Sequence, residues 1–144
     1  MKKFAFLLFL SAAAMGAENM QIPMNRALEF NRWYIKQVNN DHYPIMRGGE
    51  IDQFVTAGTM KKLRHADDPR YADDEFYEAD FFLKSQYIDD DWPDNVVVTS
   101  YDSDPVCVNV NITFGKKKPH TVIDCMVKEN DIWKIQSVAA RDNN

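Results

Sequence analysis

Histidines, isolated acids and a pair of cysteines are the residues of this sequence whose types and spacing bear on chemistry. His42 precedes Tyr43-Pro44 in a turn, His65 ends a helical stretch, and His120 follows Pro119 at a hairpin. An imidazole serves nucleophilic catalysis only beside a serine or cysteine that it deprotonates. No local signature supplies that partner, so the three read as solvated loop histidines. Asp124 is the one ionisable residue inside an otherwise apolar strand, between Ile123 and Cys125. It has the chemistry of a pocket base, but alternation puts it on the face of Val122 and Met126, where a half-exposed outer sheet side also accepts it. Asp89, Asp90 and Asp91 are consecutive, with Asp94 close by. Calcium loops alternate ligands with spacers and close on a bidentate glutamate, so this cluster reads instead as a turn cap before Pro93. The expectation is a chain without catalytic residues, metal or cofactor, and not an enzyme.

Cys107 and Cys125 are the only cysteines, an isolated pair with no metal-ligand spacing. In an oxidising compartment an even count can mean a disulfide. Two strand registers decide differently. With apolar faces matched, Val108 pairs with Val127, Val110 with Cys125 and Ile112 with Ile123, and Cys107 points to the opposite side. With Cys107 directly across from Cys125 the bond forms, but Ile123 lands beside Asn109 on the polar face. Both stay open at this level.

Between Asp67 and Asp94 lie eleven of the 22 acidic residues, opposed only by Arg70 and Lys84. Tyr71, Phe76, Tyr77, Phe81, Phe82, Tyr87 and Trp92 are interleaved with them. A purely solvated loop does not need so many aromatics. Phe81 and Leu83 alternate with Phe82 as in a short strand, which sends some inward. Others suit an interface, where aromatic anchors are rimmed by charge. The segment therefore nominates Tyr77, Asp80, Tyr87, Asp89, Asp90, Asp91 and Trp92 as partner-binding residues, with a basic protein as partner. Gly115-Lys-Lys-Lys-Pro119 carries three like charges at a hairpin end, which discourages edge pairing.

The elements that must position these residues change character once along the chain. Asn25 to Val38 has Ala27, Leu28, Phe30, Tyr34, Ile35 and Val38 at helical spacing, ended by Asn39, Asn40, Asp41 and Pro44. A second helix is expected from Glu50 to Leu63 after Gly48-Gly49. From Val96 the period becomes two: Val96 to Tyr101, Val106 to Phe114, Thr121 to Val127 and Ile132 to Val138. Trp133 and Ile135 share a face of the last strand and read as core under the first helix. Helices followed by a meander predict an α+β fold, amino-terminal helices packed on a curved antiparallel sheet of about four strands.

Lys2 and Lys3 precede an apolar run from Phe4 to Leu10, continuing through Ala12 to Ala14, that is too short to span a bilayer. Small residues follow at Ala14, Gly16 and Ala17, then Glu18 and Asn19. Residues 1–17 thus read as a secretory signal peptide cleaved after Gly16 or Ala17, leaving a single domain, residues 18–144, in the periplasm without a membrane anchor. Loss of Lys2 and Lys3 takes the net charge from -5 to -7, which disfavours nucleic acid and anionic lipid as main partners.

Three stretches carry a resemblance: Phe30-Asn-Arg-Trp-Tyr-Ile35, the run from Ala79 to Trp92, and the ending Trp133-Lys-Ile. They resemble a family of small exported enterobacterial proteins known as a domain of unknown function. That family is similar in build to the nuclear-transport-factor-2-like, or cystatin-like, superfamily. The resemblance implies an amino-terminal helix set against a curved antiparallel sheet and supplies no activity. The residues and the resemblance together leave three classes of function. The leading one is a periplasmic protein that binds a basic protein, as an immunity protein or inhibitor of a cell-wall-degrading toxin. The others are an envelope accessory or structural protein, and a small-ligand carrier or pocket enzyme of the same fold.

Overall fold

In the computed structural model, residues 13–71 and 79–142 are described. Helix α1 (Ala13–Asn39) is the longest element. Its apolar residues recur every three to four positions, and Ala27, Phe30, Tyr34 and Ile35 form a stripe with almost no exposure. The helix ends where Asp41 takes a left-handed φ of 59°. Asp41 N–H donates to the Val38 carbonyl and His42 N–H to that of Gln37, at 3.0 and 2.8 Å, which satisfies the last carbonyls. No helix among the described residues is long and apolar enough to cross a membrane.

The second helix expected over Glu50–Leu63 is two elements, a 3-10 turn η1 (Glu50–Gln53) and α2 (Ala57–Asp67). Tertiary pairing interrupts it. Val55 forms a parallel bridge to Ile135. Ile135 N–H donates to the Phe54 carbonyl at 2.7 Å, and Thr56 N–H to that of Ile135 at 3.0 Å. Thr56 then caps α2 with its side chain.

The strands β1 (Val96–Ser103), β2 (Val108–Phe114), β3 (His120–Glu129) and β4 (Ile132–Ala140) form one antiparallel meander in sequence order. The fold is α+β, helices against a four-stranded open sheet, as the residue pattern predicts. The turn from β3 to β4 places Asn130 and Asp131 at φ 51° and 63°, the double left-handed geometry of a tight hairpin. The core lies between α1 and one sheet face, built on Phe30, Tyr34, Phe82, Phe114, Ile112 and Ile135. Trp133 packs half-buried at its margin. No strand forms around Phe81. Residues 80–85 are instead a turn that buries both Phe82 and Leu83.

Neither expected register of β2 on β3 is the one formed. Val108 pairs with Met126, Val110 with Asp124 and Ile112 with Val122. The inward set of β3 is therefore Val122, Asp124 and Met126, not Ile123, Cys125 and Val127. Cys125 lies opposite Asn109 on the outer face, and Cys107 sits two residues earlier, just before β2 begins. This diagonal placement bonds Cys107 to Cys125, with their Cα atoms 5.2 Å apart.

Candidate protein-interaction site

Tyr34 belongs to the buried stripe of α1, yet its hydroxyl reaches the core margin and donates to Asp80 Oδ2 at 2.6 Å. Asp80 Oδ1 accepts from the N–H groups of Phe82 and Leu83, each at 2.9 Å. Lys84, at φ 51°, donates its N–H to the Asp80 carbonyl at 2.8 Å and closes the turn. One carboxylate thus pins the 80–85 turn to α1. Burial, and then the charge of Asp80, hold the Tyr34 hydroxyl far above the usual phenol range, so it remains a donor.

Outside this contact opens a cleft of about 740 Å³ lined by Tyr34, Asp41, Tyr43, Asp67, Asp80 and Tyr87, among others. Its described lining includes three carboxylates and no lysine or arginine. Burial, and then the charge of Asp80, raise the Asp67 carboxyl above its ordinary value. Tyr43 and Tyr87 stand at the rim, 57% and 66% exposed. Converging carboxylates that repel one another, with phenol rings beside them, suit an ammonium or guanidinium group, through charge-assisted hydrogen bonds and cation–π contact.

The neighbouring turn, residues 89–95, divides the nominated residues. Asp90 is exposed and Asp89 half-buried. Asp91 faces the β2–β3 hairpin, where its Oδ2 accepts from Lys116 N–H at 2.8 Å and Lys117 N–H at 3.1 Å. These amides hold its carboxyl below the usual range. Trp92 does not fit the role of exposed anchor, being 2% exposed within the core. His120, expected in solvent, stacks on Trp92 with centroids 4.9 Å apart and planes 6° from parallel. Its Nε2 lies 2.6 Å from the Leu83 carbonyl oxygen. The Trp92 stack and the Leu83 carbonyl together hold this histidine half-buried. Tyr77 lies outside the described residues, and the backbone of Gly16 and Ala17 falls within α1.

Asp124 has the largest departure from its sequence-based placement. It faces the core, fully buried, and Asn31 Nδ2 on α1 donates to its Oδ2 at 2.6 Å. Burial pushes its carboxyl up to about 7, against a smaller opposing effect of the Asn31 hydrogen bond. A group with no exposed surface is a structural acid of the core rather than a base offered to a ligand. Of the cleft residues, Tyr34, Asp41, Tyr43 and Asp67 were not singled out from sequence. Tyr34 obeyed the helical core pattern, and nothing local signals a hydroxyl partner 46 residues away. Asp41 and Tyr43 did carry a signal, a helix end rich in polar and aromatic residues.

The fold and cleft define a class: a small, disulfide-bonded α+β domain presenting an acidic, aromatic concavity. No family model and no curated protein matches the chain. Among solved structures it is similar to a chain of the type VI native effector-immunity complex Tae3-Tai3 from Ralstonia pickettii. The TM-score is 0.69 at 25% identity, covering 85% of this chain and 97% of that one. The selenomethionine form of that complex matches with a TM-score of 0.65 at 25% identity, covering 85% and 98%. The α+β build that the resemblance implies is the one observed, and no family model supports the particular exported family read in the sequence.

Proposed function

We propose that this chain is an immunity protein that binds a protein effector and silences it by occupying its surface. The observation that carries the reading is the fold match to a chain of an effector-immunity complex, extending over 97% of that chain. A likeness of that extent covers the helix-on-sheet scaffold. The disulfide and the signal-like amino terminus support a periplasmic site of action, where the mature chain begins at Ala17 or Glu18. The acidic cleft supports a basic contact region on the effector, and the reading extends to a cell-wall-degrading toxin as the target. Carboxylates at the rim steer the encounter and aromatic rings slow its reversal.

The test is protection. Candidate effectors encoded beside this gene are exported to the periplasm of a susceptible host, with and without the protein. Survival only with the exported protein, together with a purified one-to-one complex, is the expected result. Lysis by every such effector despite correctly processed protein overturns the proposal, and so does a cytoplasmic product retaining Met1.

A further inference from the structure

The β2–β3 hairpin is built more firmly than a solvated tip requires. Lys116, Lys117 and Lys118 are all exposed at its end. Beneath them Asp91 accepts two consecutive backbone N–H groups. Gly115 N–H donates to the Asn95 carbonyl at 2.8 Å, and Asn95 Nδ2 donates to the Asp91 carbonyl at 2.6 Å. Gly115, at φ +79°, leaves no room for a side chain, because a Cβ there would lie 2.6 Å from Trp92 Cδ1. On the other shoulder His120 stacks on the same Trp92. Both ends of the tip are thus held by one turn. The carboxylate at its base is directed at backbone amides, and the three lysines above it stay exposed.

The tip is also continuous with the acidic cleft. Tyr87, exposed on the cleft rim, packs on Trp92 with ring centroids 6.1 Å apart. Leu83, which lines the cleft, gives its carbonyl oxygen to His120. Negative and positive surfaces therefore adjoin across a shared aromatic seam. Such a pair sets the register of a complementary protein, since a rotated or shifted partner meets like charge. Holding the lysine backbone in one conformation beforehand lowers the ordering cost of binding.

We propose that Lys116, Lys117 and Lys118 form the basic half of the same docking surface and receive a carboxylate-rich patch of the effector whose basic region enters the cleft. This rests on the immunity reading above. The effector identified by protection is the probe, and its binding is measured by interferometry at low and high salt. K116E/K117E/K118E is expected to weaken binding at low salt by about tenfold or more, the gap narrowing as salt screens it. K116Q/K117Q/K118Q should show a smaller loss. D91N keeps every lysine but weakens the clasp, and should bind more weakly through faster dissociation. A triple variant that melts like the wild type and binds the effector with unchanged affinity at low salt overturns the proposal. So does loss confined to binding of phosphatidylglycerol vesicles, which would make the tip a lipid contact. Failure of the wild type to bind or protect overturns the immunity reading and this proposal together, whereas a defect specific to the tip variants does not touch that reading.

Discussion

Asn31 on α1 and Asp124 on β3 meet inside the helix–sheet interface, Nδ2 to Oδ2 at 2.6 Å, and Oδ1 of each is buried without a donor. Asn31 Nδ2 also donates to the Ala27 carbonyl at 2.8 Å. Two unsatisfied acceptors facing an apolar core are costly when one belongs to a carboxylate. The carboxyl is held up to about 7, against 3.8 unperturbed, so folding favours its protonated form. The unfolded chain loses this proton near pH 4 and the folded chain only near pH 7. Its contribution to stability is therefore complete below pH 4, falls as pH rises to about 7, and is flat above. At about 1.4 kcal/mol per pH unit, the loss amounts to a few kcal/mol. Asp124→Asn should remove this slope and stabilise the protein at pH 8, as measured by denaturant unfolding at pH 5 and pH 8. A variant that keeps the wild-type difference between those two pH values would show that Asp124 does not carry it.

Gly115 and Gly48 both have positive φ, +79° and +72°, but only Gly115 abuts another side chain. Gly48→Ala should cost about 1–2 kcal/mol for the left-handed backbone alone. Gly115→Ala adds a clash with the buried Trp92 ring and should cost more, with His120 released from its stack. Thermal melts of the two variants, with histidine NMR shifts for His120, separate these effects. Equal losses would refute the steric part.

Trp92→Ala should destabilise the fold by about 3–5 kcal/mol, the range for deleting a buried large aromatic side chain. Its ring is 2% exposed and stacks on Phe114 as well as His120, with centroids 5.7 Å from Phe114. A variant with unchanged melting temperature and impaired binding would restore the exposed-anchor role that the sequence suggested.

Reversing Asp89 and Asp90 to lysine should slow association with the effector and flatten its dependence on salt, with little change in melting. The two charges follow Ile88, which lines the cleft, and their steering weakens as salt shortens the screening length to about 8 Å at physiological ionic strength. Asp91 is left out of this variant because its carboxylate holds the hairpin. Stopped-flow association rates at several salt concentrations give the answer, and a rate identical to wild type at low salt would remove these two residues from the interface.

Oxidised protein should show no alkylatable thiol by mass spectrometry, since Cys107 and Cys125 are bonded across a sequence separation of 18. Replacing both by serine should lower stability by about 2–4 kcal/mol, nearer the lower figure because the closed loop is short. Two free thiols under oxidising conditions would contradict the diagonal placement seen here.

By itself the sequence determined the element types where one periodicity dominates: α1 from its three-to-four spacing, four strands from alternation, and hence the α+β class. It also nominated Asp80 and Tyr87, which do line the cleft. Tertiary structure alone decided which face of β3 turns inward, because both sets are predominantly apolar and alternation has no sign. Register settled the matter, pairing Val110 with Asp124, and with it the partner of Asp124 and the geometry of the disulfide. The same holds for Asp91, Trp92 and His120. Their types suit a solvated turn and hairpin, but packing brings Asp91 against amides 25 and 26 residues away and buries the tryptophan beneath Gly115. Local spacing cannot encode contacts between segments whose separation only the folded chain closes.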